Sequence, residues 1–165
     1  MGHALKRLAV ALVAMLLAAS PLVAQSRPNA DDSKTVQDCI KTAAPAGKPM
    51  ETAASCIGVV STPCLNNDKT KSTLDMTACI ERERVVWDDI LNEAYRRLGA
   101  KLDAAQKEKL RDLQRAWIAS RDKSCAFYRD YIQGTIASVQ TASCVNSETA
   151  RRALFLYGFI YDENQ

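Results

Sequence analysis

The stretch LNEAYRRLGAKLDAAQKEKL, residues 91–110, decides the fold. Upstream of it a helical pattern runs from Leu74 to Leu102 without a proline and with one late glycine, Gly99. Downstream, Asp103 stands where an N-cap belongs, and a second helical run continues through AAQKEKLRDLQRAWIASRDKSCAFYRDYI to Gly134. Two long helices joined by so short a turn must fold back on each other. The expected class is therefore all-α, a small disulfide-stapled domain built on an antiparallel hairpin of about 74–102 and 103–133.

The flanking segments are less regular. Residues 25–33 read as a lead-in, and Ser33 or Lys34 through Ala44 and Glu51 through Val60 read as short helices, separated by Pro45, Gly47 and Pro49. STPCLNNDKTKST, 61–73, is polar and turn-rich and reads as a loop. Past Gly134 a loop or short helix carries Cys144, and Asn146 or Ser147 starts a last helix reaching about Tyr161. No stretch alternates with period two between hairpin turns.

The first residues, MGHALKRLAVALVAMLLAASPLVAQS, have a basic start at Lys6 and Arg7, an apolar run and small residues near the end, the layout of a secretory signal cut after residue 24 to 26. The chain then divides into a leader at 1–24, a Cys-containing helical extension at 25–73 and a helical domain at 74–161. Losing Lys6 and Arg7 leaves 20 of the 22 bases against 19 acids, a net charge near +1. That balance gives no concentrated basic surface for nucleic acid. No later segment approaches the ~20 apolar residues of a membrane span. The expected location is periplasmic or secreted.

Six cysteines, Cys39, Cys56, Cys64, Cys79, Cys125 and Cys144, follow the leader, and an even number in an exported chain predicts three disulfides. The closest spacing, Cys56 to Cys64, is no zinc pattern. The only histidine, His3, lies in the leader, which excludes His-based triads, Cys-His dyads and imidazole proton shuttles. Carboxylate chemistry on a glycan would need an acid pair such as Asp88, Asp89 or Glu93. Acids at that spacing on a long helix more often form a solvated face with bases such as Arg96 and Arg97. The reading is a non-enzyme, and no cofactor is implied.

If the chain reverses near residue 102, residues whose numbers sum to about 204 stand at equal height, because both helices rise ~1.5 Å per residue. Glu83 then faces Arg121, Trp87 faces Trp117 and Leu91 faces Leu113, one seam with a register ion pair. Cys79 likewise faces Cys125, the favoured disulfide on this geometry, with Cys125–Cys144 the alternative. Equal height does not fix rotation about each axis. Three cysteines before residue 65 and three after 78 require at least one bridge to staple the extension onto the hairpin.

WDDILNEAYRRL at 87–98, LRDLQRAWIASRDKSC at 110–125, Cys144 and TARRAL at 149–154 together resemble the lysozyme inhibitor LprI-like domain, over roughly residues 74–158. The pattern falls on Trp87, Asp88, Leu91, Asn92, Tyr95, Gln114, Arg115, Trp117, Arg121, Asp122, Cys125, Cys144, Thr149 and Arg152, none of which the resemblance makes catalytic. It leaves Cys39, CIG at 56–58 and Cys64 outside the minimal domain. It implies a small exported helical domain of the cell envelope, with lysozyme inhibition as the activity attached to the family's name. A near-neutral charge weakens electrostatic steering toward the strongly basic animal-type lysozymes.

The leading functional reading is an envelope binding protein whose loop occludes a partner's cleft, with a lysozyme or another cell-wall hydrolase as partner. Exposed loops are where such contacts concentrate. The candidates are Asn66, Asn67, Asp68 and Lys69 in one loop and Tyr131, Gln133, Gly134 and Thr135 in the other. The alternative is an envelope structural or assembly factor that docks through the aromatic end RALFLYGFIY. Phe155, Tyr157, Phe159 and Tyr161 are expected to close the protein's own core instead.

Overall fold

Three helices start with the same local device. In the computed structural model, which describes residues 28–45 and 50–161, Asn29 with Asp32, Ser72 with Asp75 and Asp103 with Gln106 form capping boxes. Each pair satisfies two backbone amides that the first helical turn would otherwise leave bare. They set the beginnings of α1 (Ala30–Ala43), α3 (Thr73–Lys101) and α4 (Ala104–Tyr131). A 3-10 helix (Met50–Cys56), α2 (Ser61–Leu65) and α5 (Ile136–Tyr161) complete the order, with no strand among the described residues.

The class is all-α, and both long helices stand within a residue or two of their expected bounds. The smaller elements differ. Asn29 starts α1 earlier than Ser33, the expected helix at Glu51–Val60 is a 3-10 turn ending at Cys56, and the expected loop at 61–73 begins with α2. No break occurs at Cys144, since α5 is continuous from Ile136. Asn146, expected near its start, is instead buried inside it, where its side-chain amide is a donor across the core. The leader reading falls outside the described residues, among which no helix is long and apolar enough to cross a membrane.

The main correction is which helix lies between the others. α3 packs along α5 for most of its length and α4 packs against α5, so α5 stands between the two arms of the hairpin. α5 runs parallel to α3 with a numbering offset near 63, as the Glu83–Asn146 hydrogen bond marks, and antiparallel to α4. Its buried Ala137, Ala150 and Ala153 let neighbouring backbones come close, and ten of its residues are buried against two in α4. The more apolar helix takes the middle because it has more surface to remove from water.

This arrangement undoes the predicted seam. Glu83, Trp87 and Leu91 are buried, and Trp117 packs partly buried against the same core. Leu113 is 49% exposed, and Arg121 reaches Thr149 of α5 and Asp122 of its own helix rather than Glu83. Rotation about the helix axes turns both stripes toward a third helix.

The disulfides follow the same geometry. Cys39 joins Cys56, Cys64 joins Cys79, and Cys125 joins Cys144, each with Cα atoms 5.5–5.8 Å apart. The favoured Cys79–Cys125 bridge does not form, because Cys125 faces α5 while Cys79 faces α2; the alternative partner, Cys144, is the one that Cys125 meets. Cys64–Cys79 is the bridge that staples the amino-terminal part onto the hairpin. An ion pair from Arg82 to Asp32, 2.6 Å, adds a second tie between α3 and α1.

One core joins all of these parts. Val36 and Ile40 of α1, Met50 and Ala53 of the 3-10 helix, Trp87 of α3 and Leu154 of α5 belong to a single cluster. A second cluster of Ala94, Leu110, Leu156 and Ile160 closes the end near the α3–α4 turn. Tyr157 and Tyr161 pack on this core, whereas Phe155 and Phe159, expected there too, are 47% and 55% exposed.

With so little of α4 buried, the Cys125–Cys144 bridge should contribute at least what its loop length implies. The chain-entropy model gives about 3 kcal/mol for a loop of this size. The double substitution Cys125→Ala/Cys144→Ala should lower the unfolding free energy by that order in urea titration. An unchanged midpoint would mean that packing alone holds α4.

Candidate functional site

The site begins with a carboxylate in the core. Glu83 is fully buried, and among the described residues no cation pairs with it. Its Oε1 accepts from the Gly58 amide at 2.7 Å, Asn146 Nδ2 at 3.0 Å and Trp87 Nε1 at 3.1 Å. Its Oε2 accepts from the Ser61 amide at 2.8 Å, the Val60 amide at 3.0 Å and the Ser61 hydroxyl at 3.0 Å. Burial pushes the carboxyl group's pKa up, but the hydrogen bonds from Asn146, Ser61, Gly58 and Trp87 together outweigh it and hold the group below the usual carboxylate value.

Gly58 is required for this cradle. Its φ of +101° is left-handed, and a Cβ there would stand 2.9 Å from Thr62 Oγ1. That turn aims the amides of 58, 60 and 61 at one point, an anion cradle whose anion is a side chain of the protein itself. Glu83 thus fixes the path of the chain from the 3-10 helix into α2 and toward Cys64.

Beyond Cys64 the chain forms the first predicted loop. The Asn67 side chain accepts from the Lys69 amide at 2.9 Å, and the Thr70 hydroxyl donates to the Cys64 carbonyl at 2.7 Å. The Cys64–Cys79 bridge closes the base of this loop, and Asn66, Asn67, Asp68 and Lys69 all project into solvent.

The second predicted loop stands at the same end of the molecule. Tyr131 ends α4, Gly134 turns the chain with φ +87°, and the Ser138 hydroxyl donates to the Thr135 carbonyl at 2.7 Å. Cys125–Cys144 braces this turn from below. Tyr131, Gln133, Gly134 and Thr135 are exposed. Between this turn and the start of α3 lies an open depression of ≈ 660 Å³, lined by Thr73, Leu74 and Thr77 on one side and Ile132, Gly134 and Ala137 on the other.

Exposed apolar side chains gather at this end. Leu74 and Tyr131 are each 77% exposed and Phe127 61%, with the Phe127 and Tyr131 rings stacked at 6.0 Å. Reading the loops as polar connections missed Leu74 and Phe127. Each sits inside a helical pattern, where an apolar residue is ordinarily assigned to the core; the available signal was the i, i+4 spacing of Phe127 and Tyr131.

Five of the other motif residues meet between α4 and α5. Arg152, nearly buried, donates from Nε to Gln114 Oε1 at 2.9 Å, and Arg121 and Arg152 flank the Trp117 ring at 4.8 and 5.7 Å. Burial lowers the pKa of the Arg152 guanidinium. Together with Thr149 these residues form the polar seam between α4 and α5. Two of the three acids considered for catalysis have local partners: Asp88 accepts from Asn92 at 3.2 Å and Glu93 pairs with Arg96. Glu83, the buried acid, has both oxygens occupied and so has no free lone pair with which to take a proton from a substrate. Among the described residues no group of three His, Cys, Asp or Glu is placed to hold a metal ion.

The family model for lysozyme inhibitor LprI matches residues 64–156, more than half of the chain. The protein therefore belongs to that family, which is one of inhibitors rather than enzymes. The match begins earlier than the resemblance suggested and takes in Cys64, which the Cys79 bridge explains. No curated protein and no solved structure matches the chain.

Glu83→Ala would leave buried amides and the Trp87 indole without an acceptor, at a cost on the order of 4 kcal/mol. The pH dependence follows from the sign of the shift. With a lowered folded-state pKa, the stabilisation is complete above the ordinary value, 4.5, and is lost as pH falls through the folded-state value beneath it. Thermal unfolding of wild type and Glu83→Gln between pH 7 and pH 2 should show a smaller acid-dependent loss in the variant. Parallel profiles would contradict this assignment.

Proposed function

We propose that this member of the lysozyme inhibitor LprI family is an exported envelope protein that binds a lysozyme or related cell-wall hydrolase and blocks its cleft with the disulfide-braced end. The observation that carries this reading is the exposure of Leu74 and of the stacked Phe127 and Tyr131 at the end of the bundle where two loops are both cross-linked at their bases. Large apolar side chains left exposed beside polar loops mark a place where another protein docks. Here the loops carry Asn66, Asn67, Asp68, Lys69, Gln133 and Thr135.

Bracing also favours tight association. A loop already held in its bound shape loses less conformational freedom on docking, so more of the contact energy appears as affinity. Aromatic side chains at the centre of an interface are the usual energetic anchors. Three disulfides and the leader-like amino terminus support export to an oxidising compartment. With no histidine after His3 and with the buried acids among the described residues, Asp32 and Glu83, both held by partners, the chain is suited to obstruct a hydrolase rather than to act as one.

A second reading, an envelope assembly factor, is favoured by one feature. Phe155 and Phe159 pack edge to face at 5.2 Å, yet both remain half exposed on α5. That pair would serve a different partner from the loop end.

Titrating the oxidised protein into lysozymes of different classes acting on cell-wall suspension should give saturable inhibition near stoichiometric amounts for at least one class. Leu74→Ser/Tyr131→Ser should raise the inhibition constant at least about tenfold with an unchanged melting temperature. Inhibition untouched by that variant would remove the loop end from the mechanism, and no inhibition of any class would leave the assembly reading.

A further inference from the structure

The amino-terminal extension builds something the family-matched region lacks. α1 lies beside α3 and α5, and the three helices enclose a groove of ≈ 380 Å³. Ligand sites of about this volume are common in proteins of known function. Residues of α1 fall before the matched range and Tyr157 and Tyr161 just after it. The groove lies at least fifteen residues along α3 from Leu74, roughly 20 Å at the helical rise, and so is separate from the loop end.

Its floor is apolar and partly aromatic. Ile40 and Ile90 lie beside Tyr157 and Tyr161, whose ring centroids are 5.7 Å apart. The Tyr161 hydroxyl donates to the Ala44 carbonyl at 2.8 Å, which fixes that ring as part of the wall. The rim carries Asp89 and Glu93 from α3, Arg97 one turn on, and Gln37 and Lys41 from α1. Two acids, two bases and an amide leave the rim without net charge.

That chemistry selects a ligand class. A phosphate would meet Asp89 and Glu93, and a metal ion or polyamine would meet Lys41 and Arg97, so neither strongly charged class fits the whole rim. A peptide strand would have no main chain to pair with, because backbone amides and carbonyls within helices are already bonded to each other. A neutral polyhydroxylated molecule with apolar ring faces satisfies both surfaces. Its faces lie on tyrosine rings, and its hydroxyls and amides meet planar carboxylate, guanidinium and carboxamide groups that donate and accept.

We propose that the groove between α1, α3 and α5 binds a neutral saccharide, of the N-acetylated type found in wall glycan. The site is independent of the loop end and stands whether or not a lysozyme is inhibited. It would hold the protein on glycan while leaving the loop end free.

The test is an NMR titration of the full oxidised protein with chitotetraose, with a neutral tetrapeptide as a parallel probe. Saturable shifts confined to the Ile40, Ile90, Tyr157 and Tyr161 resonances are expected with the sugar and absent with the peptide. Asp89→Asn/Glu93→Gln, at two exposed positions, should weaken binding at least about fivefold while the melting temperature holds; Tyr131→Ser at the loop end should leave it unchanged. No shifts at 10-millimolar-order sugar concentrations, shifts outside the groove, or a response to the peptide alone would overturn the proposal.

Discussion

A carboxylate buried without a cation is tolerable only if dipoles replace the water it lost, and much of this fold depends on how that is done at Glu83. Both oxygens are saturated by groups from the chain entering α2, from α3 itself and from α5. Because each donor would cost free energy if left alone in the interior, the three segments are specified together. The left-handed turn at Gly58 exists to deliver an amide to this point, and Asn146 delivers the contact that sets the register of α5 on α3.

From that register the rest follows locally. α5 stands between the arms of the hairpin, so the disulfides link chain neighbours, separated by 17, 15 and 19 residues, rather than crossing from arm to arm. Two of them close the loops at one end of the bundle. α4, with few buried side chains, is held by a bridge at one end, by Leu110 at the other and by the Gln114–Trp117–Arg121 seam between. Polar packing of this kind fixes orientation more than it adds stability, since the charges involved give up hydration to make it.

How much of this was legible varied with the type of signal. Asp103 announced its helix because a cap is a local event, and the long helices were readable from period alone. The capping box at Asn29 has the same nature but was hidden by a lead-in that looked merely polar. The seam was misread for a different reason. Matching heights in a hairpin contains no information about a third helix, and a Glu opposite an Arg in that scheme suggested an ion pair where the structure uses amides. Glu83 had no sequence signal for its true partners, which lie in three separate segments. The residues named in the two loops are exposed, although helices take up 61–65 and the chain from Ile136 on, while the apolar Leu74 and Phe127 were lost in helical periodicity.

The functional account joins a family of inhibitors to a particular end of this molecule, with the glycan groove as a separate site. Hydrogen–deuterium exchange of the oxidised protein, alone and with each class of lysozyme in turn, tests that connection most directly, because amide protection reports where a partner sits. The account predicts added protection confined to residues 66–77 and 126–138, with 37–41 and 89–97 unchanged. Protection centred on α1 or on the exposed Phe155 and Phe159 of α5, or none at saturating lysozyme of any class, would contradict it.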